Sequence, residues 1–312
     1  MGRESVSKPK PETSICIVNW NAKEDLYHCL LSLAEQDVAS RLEIIVVDND
    51  SSDHSAEMVQ TQFPHVGLIA NNRNLGFATA NNQAVRQSSG EFLLILNPDT
   101  IVMKGALQEL ASFMHSHPQA SAVGPKLLNA DGSLQFSCRK FPNLGAGFFR
   151  QTPLGRLFPN NRFTRNYLMT AFDHDEPREV DWVSGAAMLV RSKTVQDIGM
   201  MDERFFMYCE DVDWCWRMKQ AGWTVWFCPG AQIKHAIGKS SDQQIEAMIW
   251  ERHKSMWRFF TKNYRHRYSL VLFPLIGFGL GLRCGSALLR VVLNRALAIA
   301  KGAIQSCQNL SR

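Results

Sequence analysis

From Ser14 onward, short runs of consecutive apolar residues alternate with stretches in which apolar residues recur every three or four positions. Ser14–Asn19 (S-I-C-I-V-N), Leu42–Asp48 (L-E-I-I-V-V-D), Val66–Ala70 and Glu91–Leu96 (E-F-L-L-I-L) are such runs, and they read as strands buried on both faces. Between them Leu26, Leu30, Leu33 and Ala34 mark one helix, and Ser52–Phe63 and Phe77–Gln87 mark two more. This repetition predicts an α/β fold, a mostly parallel sheet with helices on both faces. Ligands of such sheets bind outside the carboxyl ends of the strands, so the polar residues closing each run are the place to look for chemistry.

Beyond a helix expected near Gly105–His115 the pattern loosens. Val123–Phe136 reads as an extended pair around the turn Asn129-Ala130-Asp131-Gly132, and Ser137–Glu179 as a long irregular stretch with four Pro, seven Arg or Lys and six Phe. Val180–Val190 returns to strand character, Glu210–Ala221 reads as a helix, Thr224–Phe227 as a short strand and Ser241–Lys262 as a helix rich in Trp and Met.

The strand ends carry carboxamides and carboxylates: Asn19 and Asn21, then Asp48-Asn49-Asp50-Ser51-Ser52, then Asn97-Pro98-Asp99-Thr100. No G-x-G-x-x-G follows the first run and no G-x-x-x-x-G-K-[ST] occurs, which disfavours a nicotinamide enzyme and a P-loop NTPase. Asp48 can accept a hydrogen bond from a pyrimidine N–H, or simply cap a turn. Asn74-Leu75-Gly76-Phe77 with Asn81 combines a close-approach glycine with donors and acceptors, although a plain helix start has the same look. Asp99 at a sheet mouth can hold Mg²⁺ or Mn²⁺ beside a phosphate, or end a strand in an ordinary turn. Further on, Glu210, Asp211 and Asp213 crowd three acids into four residues behind Phe205, Phe206 and Tyr208. Such crowding costs energy unless a metal, a base role or a helix N-terminus offsets it.

Taken in order, these segments resemble the family 2 glycosyltransferases of GT-A fold, within them the rhamnosyltransferase-like branch. The resemblance rests on Ile17-Val18-Asn19-Trp20-Asn21, Val46-Val47-Asp48-Asn49-Asp50-Ser51-Ser52-Asp53, Asn74-Leu75-Gly76-Phe77, Leu96-Asn97-Pro98-Asp99-Thr100, Val183-Ser184-Gly185-Ala186, Phe206-Met207-Tyr208-Cys209-Glu210-Asp211-Val212-Asp213 and His235. It implies an inverting, metal-dependent hexosyltransferase with a nucleoside diphosphate sugar donor, dTDP-L-rhamnose favoured, and a lipid-linked cell-envelope glycan as acceptor. On its terms Asp48 reads the base, with Asn19, Asn21, Asn74, Gly76, Asn81 and Asn97 on the nucleotide-sugar side. Asn97 and Asp99 match the ends of the D-x-D motif, its first Asp being Asn here. Asp99 and His235 then hold Mg²⁺ or Mn²⁺, Asp211 is the general base, Glu210 and Asp213 support it, and Ser184, Gly185, Tyr208 and Trp214 lie on the acceptor side. The implied organisation is a flexible arm over 1–12, a catalytic domain over 13–240 with nucleotide-sugar (13–100) and acceptor (101–240) halves, and basic, apolar C-terminal helices over 241–312.

Composition sharpens the partners. Apolar residues make up 45% and charged residues 20%, ordinary for a globular chain, and the eight Cys are scattered with no C-x-x-C, which points to a reducing compartment. The net charge of +5 divides into +11 over residues 252–312, where no acid occurs, and −6 over the rest. Ser269–Leu282 is fourteen residues without a charge, shorter than the roughly 20 a spanning helix needs, and Ala287–Ala300 continues apolar around Arg290 and Arg295. We therefore expect an anchor lying on an anionic membrane surface, peripheral on the cytoplasmic face. The alternatives are a relative using another hexose donor, or a non-enzymatic nucleic-acid binder built on the basic tail; the resemblance implies a sugar donor and no nucleic acid. A processive synthase would carry Q-x-x-R-W and several spans, and a nucleotidyltransferase a glycine-rich first loop; the sequence has neither.

Overall fold

The computed structural model describes residues 10–38, 41–152, 154–236, 244–265 and 272–310. The first element series is β1 (Thr13–Asn19), α1 (Lys23–Ala34), β2 (Leu42–Asp48), α2 (Ser55–Gln62), β3 (Gly67–Ala70), α3 (Phe77–Gln87) and β4 (Phe92–Leu96). β1 is parallel to both β2 and β4, with Asn19 opposite Asp48 and Ile17 opposite Leu96. Every residue of β1 and β4 is buried, as expected for strands covered by helices on both faces.

The chain continues through β5 (Thr100–Val102), α4 (Ala106–Ser116), β6 (Ala120–Leu128), β7 (Leu134–Gln135), β8 (Cys138–Arg139), α5 (Leu144–Gln151), α6 (Leu154–Leu157) and α7 (Arg162–Leu168). It then forms β9 (Arg178–Val180), β10 (Trp182–Val183), β11 (Ala187–Arg191), α8 (Ser192–Ile198), α9 (Glu210–Gln220) and β12 (Thr224–His235). The main sheet runs β3-β2-β1-β4-β11-β6-β12-β5, with β7 on β6 and β9 on β12; β8 and β10 pair apart. After β3 the chain returns to the other side of β1 to make β4, so the carboxyl ends of β1 and β4 flank a topological switch point. β11 is antiparallel to both β4 and β6, which makes the sheet mixed.

Three departures from the sequence pattern have physical causes. The stretch 137–179 is not irregular: Asn143 and Asn161 each cap a short helix, their Oδ1 atoms accepting N–H bonds from Ala146 and Thr164 at 2.9 Å. Val180–Val190 is broken at Ser184-Gly185, because the Gly185 N–H donates to a carboxylate rather than to a strand. The strand from Thr224 runs on to His235 across an irregularity between Cys228 and Gln232, where Pro229 and Gly230 interrupt the ladder.

The described residues form two compact units, residues 207–209 grouping with those beyond 240 and the rest forming the first. In the second, α10 (Ile245–Tyr264) packs against α11 (Leu272–Leu310) through Trp257 and Phe260, each with its ring 5.2 Å from that of Phe273. Gly277 allows this approach, since a Cβ there would stand 3.1 Å from the Trp257 ring. The apolar run expected from Ser269 and the helix expected from Ser241 each begin outside the described residues.

Candidate active site

At the ends of β1 and β2, Asn19 and Asp48 are buried side by side. Asn19 Nδ2 donates to Asp48 Oδ2 at 3.0 Å, and the Ser51 N–H donates to Asp48 Oδ1 at 2.9 Å. Ser51 Oγ accepts the Asn21 N–H at 2.9 Å, while Asn21 Oδ1 accepts the Ser52 N–H at 2.7 Å. Asn21 and Asp50 adopt left-handed φ values of 50° and 68°, a conformation that Asn and Asp tolerate better than other side chains. Asn19 Oδ1 is buried and lacks a hydrogen bond.

The second cluster centres on Asn49, which the sequence reading passed over. Its Nδ2 donates to Asn74 Oδ1 at 2.9 Å, and its Oδ1 accepts from Asn71 Nδ2 at 3.0 Å and the Leu75 N–H at 3.1 Å. This clamp fixes the turn that leads into Gly76, whose φ is 83°. A Cβ on Gly76 would lie 2.6 Å from the Phe206 carbonyl oxygen, the atom that accepts the Phe77 N–H. One turn along α3, Asn81 Nδ2 donates to the Phe77 carbonyl, while its buried Oδ1 lacks a hydrogen bond.

At the end of β4, the Thr100 hydroxyl donates to the Asn97 carbonyl at 2.7 Å and closes the Asn97-Pro98-Asp99 turn. Pairing of β12 with β5 puts His235 opposite Thr100, which brings His235 Nε2 within 3.3 Å of Asp99 Oδ1 and 3.2 Å of Asn97 Nδ2. Gln135 determines which ring nitrogen carries the proton. Its Nε2 donates to the His235 carbonyl at 3.1 Å, so its Oε1 must be the atom that accepts from His235 Nδ1, at 2.7 Å. With Nδ1 carrying the proton, Nε2 of the neutral ring is an acceptor that takes the Asn97 Nδ2–H and offers none to Asp99 Oδ1, a buried oxygen without a hydrogen bond. An imidazole nitrogen and a carboxylate oxygen so close together, both acceptors, suit a divalent cation. Among the described residues no three His, Cys, Asp or Glu side chains gather as a metal cage, so the remaining ligands would be phosphate oxygens and water.

The third cluster opens α9. Asp211 is half-buried; its Oδ2 accepts the Gly185 N–H at 3.0 Å and its Oδ1 the Val212 N–H at 2.8 Å. The residue after Gly185, Ala186, accepts the Asn97 N–H at 2.9 Å, so the loop that Asp211 braces adjoins the Asn97-Pro98-Asp99 turn. Burial pushes the Asp211 carboxyl up, opposed by the N–H of Gly185 and of Val212 and by the charge of Arg139. Glu210 is pushed up well above the ordinary carboxylate range, first by burial and then by the negative charge of Asp211, and its Oε2 lacks a hydrogen bond.

Other sequence candidates sit elsewhere. Asp213 is buried in an ion pair with Arg217 at 3.1 Å, and Arg217 also donates to the carbonyls of Ile198 and Met200, a structural clip. Trp214 is fully buried and donates Nε1–H to the Gly199 carbonyl, which places it in the core rather than on an acceptor surface. Ser184 Oγ accepts the Ala186 N–H beside Gly185. Tyr208, with φ 69°, groups with the second unit.

The family model for glycosyl transferase family 2 matches residues 14–170, half of the chain. An N-acetylglucosaminyl-diphospho-decaprenol L-rhamnosyltransferase of Mycobacterium tuberculosis is 32% identical over 240 residues, covering 73% of this chain and 76% of the relative. The chain belongs to glycosyl transferase family 2. This glycosyltransferase is also similar to the hexosyltransferase Agl10 of Haloferax volcanii, at 28% identity over 72% of this chain and 66% of the relative. It resembles the rhamnosyltransferase WbbL of Escherichia coli at 28% identity over 51% and 60%.

Solved structures agree on the GT-A fold of the glycosyltransferase. The mannosyltransferase PcManGT of Pyrobaculum calidifontis, in complex with GDP-Man and Mn²⁺, superposes with a TM-score of 0.57 at 17% identity, covering 96% of this chain and 81% of that one. GalNAc-T7 with UDP, GalNAc and Mn²⁺ superposes with a TM-score of 0.59 at 15% identity, covering 81% and 48%.

Proposed function

We propose that this glycosyltransferase moves L-rhamnose from a dTDP-linked donor to a hydroxyl of a lipid-linked cell-envelope glycan, with inversion at the anomeric carbon. The observation that carries the reading is the pairing of two half-finished sites, linked where the Gly185-Ala186 loop meets the end of β4. One is a partly exposed Asp211 carboxylate braced by the Gly185 N–H, and the other is the Asp99 and His235 donor pair. The names of the M. tuberculosis and E. coli relatives supply the sugar, and the first of them supplies the lipid-linked acceptor.

In this reading Asp48 accepts the N–H of the pyrimidine, with Asn19, Asn21, Asn74, Gly76, Asn81 and Asn97 around the nucleotide sugar. Asp99 and His235 would hold Mg²⁺ or Mn²⁺, which supplies Lewis-acid neutralisation of the departing diphosphate. Asp211 takes the proton of the acceptor hydroxyl as that oxygen bonds to the anomeric carbon and the bond to the diphosphate breaks. Protonated Glu210 keeps a second negative charge away from the base, and Gly185 and Ser184 border the acceptor. One base and one displacement give inversion. Residues 13–240 form the catalytic domain, and α11 anchors it at the cytoplasmic face of an anionic membrane.

The test is transfer by the purified chain to an N-acetylglucosaminyl-diphospho-polyprenol, comparing dTDP-rhamnose with UDP- and GDP-hexoses, with product anomericity read by NMR. A β-linked donor yielding an α-linked product, or the reverse, is expected. Retention at the anomeric carbon would sink the single-base mechanism, and exclusive use of a UDP- or GDP-hexose would sink the rhamnose assignment.

A further inference from the structure

Residues 144–168 contain no Asp or Glu but four basic residues: Arg150, Arg156, Arg162 and Arg165. Helices α5, α6 and α7 fold this stretch into a small insert whose inner and outer sides differ chemically. On the inner side Ala146 and Tyr167 are buried, while Phe149 stacks on the more exposed Phe163 with ring centroids 5.8 Å apart. Gly145 packs so tightly there that a Cβ would stand 2.4 Å from the Phe163 ring. On the outer side Phe148, Leu157 and Phe158 are 51%, 71% and 57% exposed. Leu154, Leu157, Phe158 and Pro159 line a cleft of about 600 Å³ with Phe149 behind them.

A water-facing loop gains nothing by holding large apolar side chains in solvent, and such patches mark contact surfaces. A protein partner would normally be met by charges of both signs, whereas this insert presents one sign only. Exposed apolar side chains interspersed with guanidinium groups match a bilayer interface, where the apolar groups reach the acyl boundary and the cations meet lipid phosphates.

We propose that the α5–α7 insert is a lipid-contacting element of the catalytic unit, with Leu157 and Phe158 entering an anionic bilayer surface and Arg156, Arg162 and Arg165 meeting its phosphates. This deepens the reading of a lipid-linked acceptor and rests on it for the reason a membrane is present. The placement fits the chemistry: the insert leaves from β8, which pairs with β10, and β10 runs directly into Ser184 and Gly185 beside Asp211. Lipid contact here would bring the acceptor side of the catalytic unit to the membrane independently of the C-terminal helices.

The test is hydrogen exchange on the full-length chain, free, on vesicles of phosphatidylcholine with phosphatidylglycerol, and on phosphatidylcholine alone. The amides of residues 154–161 should exchange more slowly on the anionic vesicles, and high salt should reduce that protection. The double variant Leu157→Asp with Phe158→Asp, both at exposed positions, should lose the protection and partition about tenfold more weakly, with transfer to a detergent-solubilised acceptor unchanged. Unaltered exchange of 154–161 in a chain that floats with the vesicles overturns the proposal, as does protection that survives the double substitution. Protection by a lipid-free glycan acceptor would reassign the insert to sugar and overturn it as well. Failure of the proposed reaction is read separately, as absent transfer in detergent whatever the insert does.

Discussion

His235 Nδ1 donates to Gln135 Oε1 at 2.7 Å, and Gln135 returns a bond from Nε2 to the His235 carbonyl at 3.1 Å. Gln135 is itself held, since its Nε2 also reaches Asn129 Oδ1 at 3.0 Å. Partners of this kind set the tautomer and orientation of a metal-binding imidazole, and losing one typically costs 10–100-fold in metal affinity. We expect Gln135→Leu to weaken Mn²⁺ binding in the presence of dTDP by about tenfold or more. Mn²⁺ EPR titration reads this without turnover, and an unchanged affinity would remove Gln135 from the site.

Activity should require Mg²⁺ or Mn²⁺, and Asp99→Asn should remove most of it together with Mn²⁺ binding. The reason is that Asp99 Oδ1 is a buried oxygen without a hydrogen bond, 3.3 Å from His235 Nε2. Full transfer in excess EDTA would end the metal assignment.

Asp211→Asn should keep fold and dTDP binding while kcat falls by at least about 10²-fold, the low end for a lost general base. The Gly185 N–H can still donate to the amide oxygen, so the loop is expected to hold. Near-normal turnover would shift the base role to Glu210, the preceding residue of α9.

Glu210 offers a test by pH. Its carboxyl is raised by burial and by Asp211, so its contribution to stability is complete below the ordinary carboxylate range and is lost as pH rises toward the folded value. Glu210→Gln cannot ionise and escapes that loss. The variant should therefore melt close to wild type in acid and above it near pH 8, by calorimetry at both pH values. An equal Tm difference at the two pH values would mean that Glu210 is not held protonated.

Gly76 and Asn49 show why part of the site was legible in the sequence and part was not. Strand ends announce themselves because an apolar run stops at a polar residue, and Asn19, Asp48 and Asn97 do stand at the ends of β1 and β2 and just beyond β4. Residues that organise a turn through their side chains carry no such mark. Asn49 looked like a neighbour of Asp48, and Gln135 lies 100 residues from His235 on a two-residue strand. Trp214 failed in the opposite way: proximity in sequence to Asp211 suggested a site wall, but one face of α9 is core. The helical insert was missed because Pro and Arg masked two ordinary Asn caps. Gly76→Ala puts this to a measurement. With a positive φ and a Cβ 2.6 Å from a backbone oxygen, it should cost about 1–3 kcal/mol, visible as a lower Cm in urea; unchanged stability would mean the loop can move away.

The tail carries the last prediction. The sequence suggested two apolar pieces, but α11 is one helix in which Leu272–Leu297, 26 residues at mean hydropathy 1.6, is long and apolar enough to cross a membrane. At 1.5 Å per residue it extends about 39 Å, against a hydrocarbon core of about 30 Å. Length therefore permits a span, and the charges decide against one. A span would carry Arg283 and Arg290 into or near the hydrocarbon, at about 2.5–3.5 kcal/mol each near the centre. Lying in the interface avoids this cost, and exposed Leu275, Phe278, Leu282, Leu289 and Leu293 recur at helical spacing as the stripe such a helix would bury. Deleting residues 266–312 should leave donor hydrolysis intact and sharply reduce flotation with anionic vesicles, while the full chain should be stripped from them by alkaline carbonate. Resistance to carbonate would establish a span, and a full chain that fails to float at low salt would remove the anchor altogether.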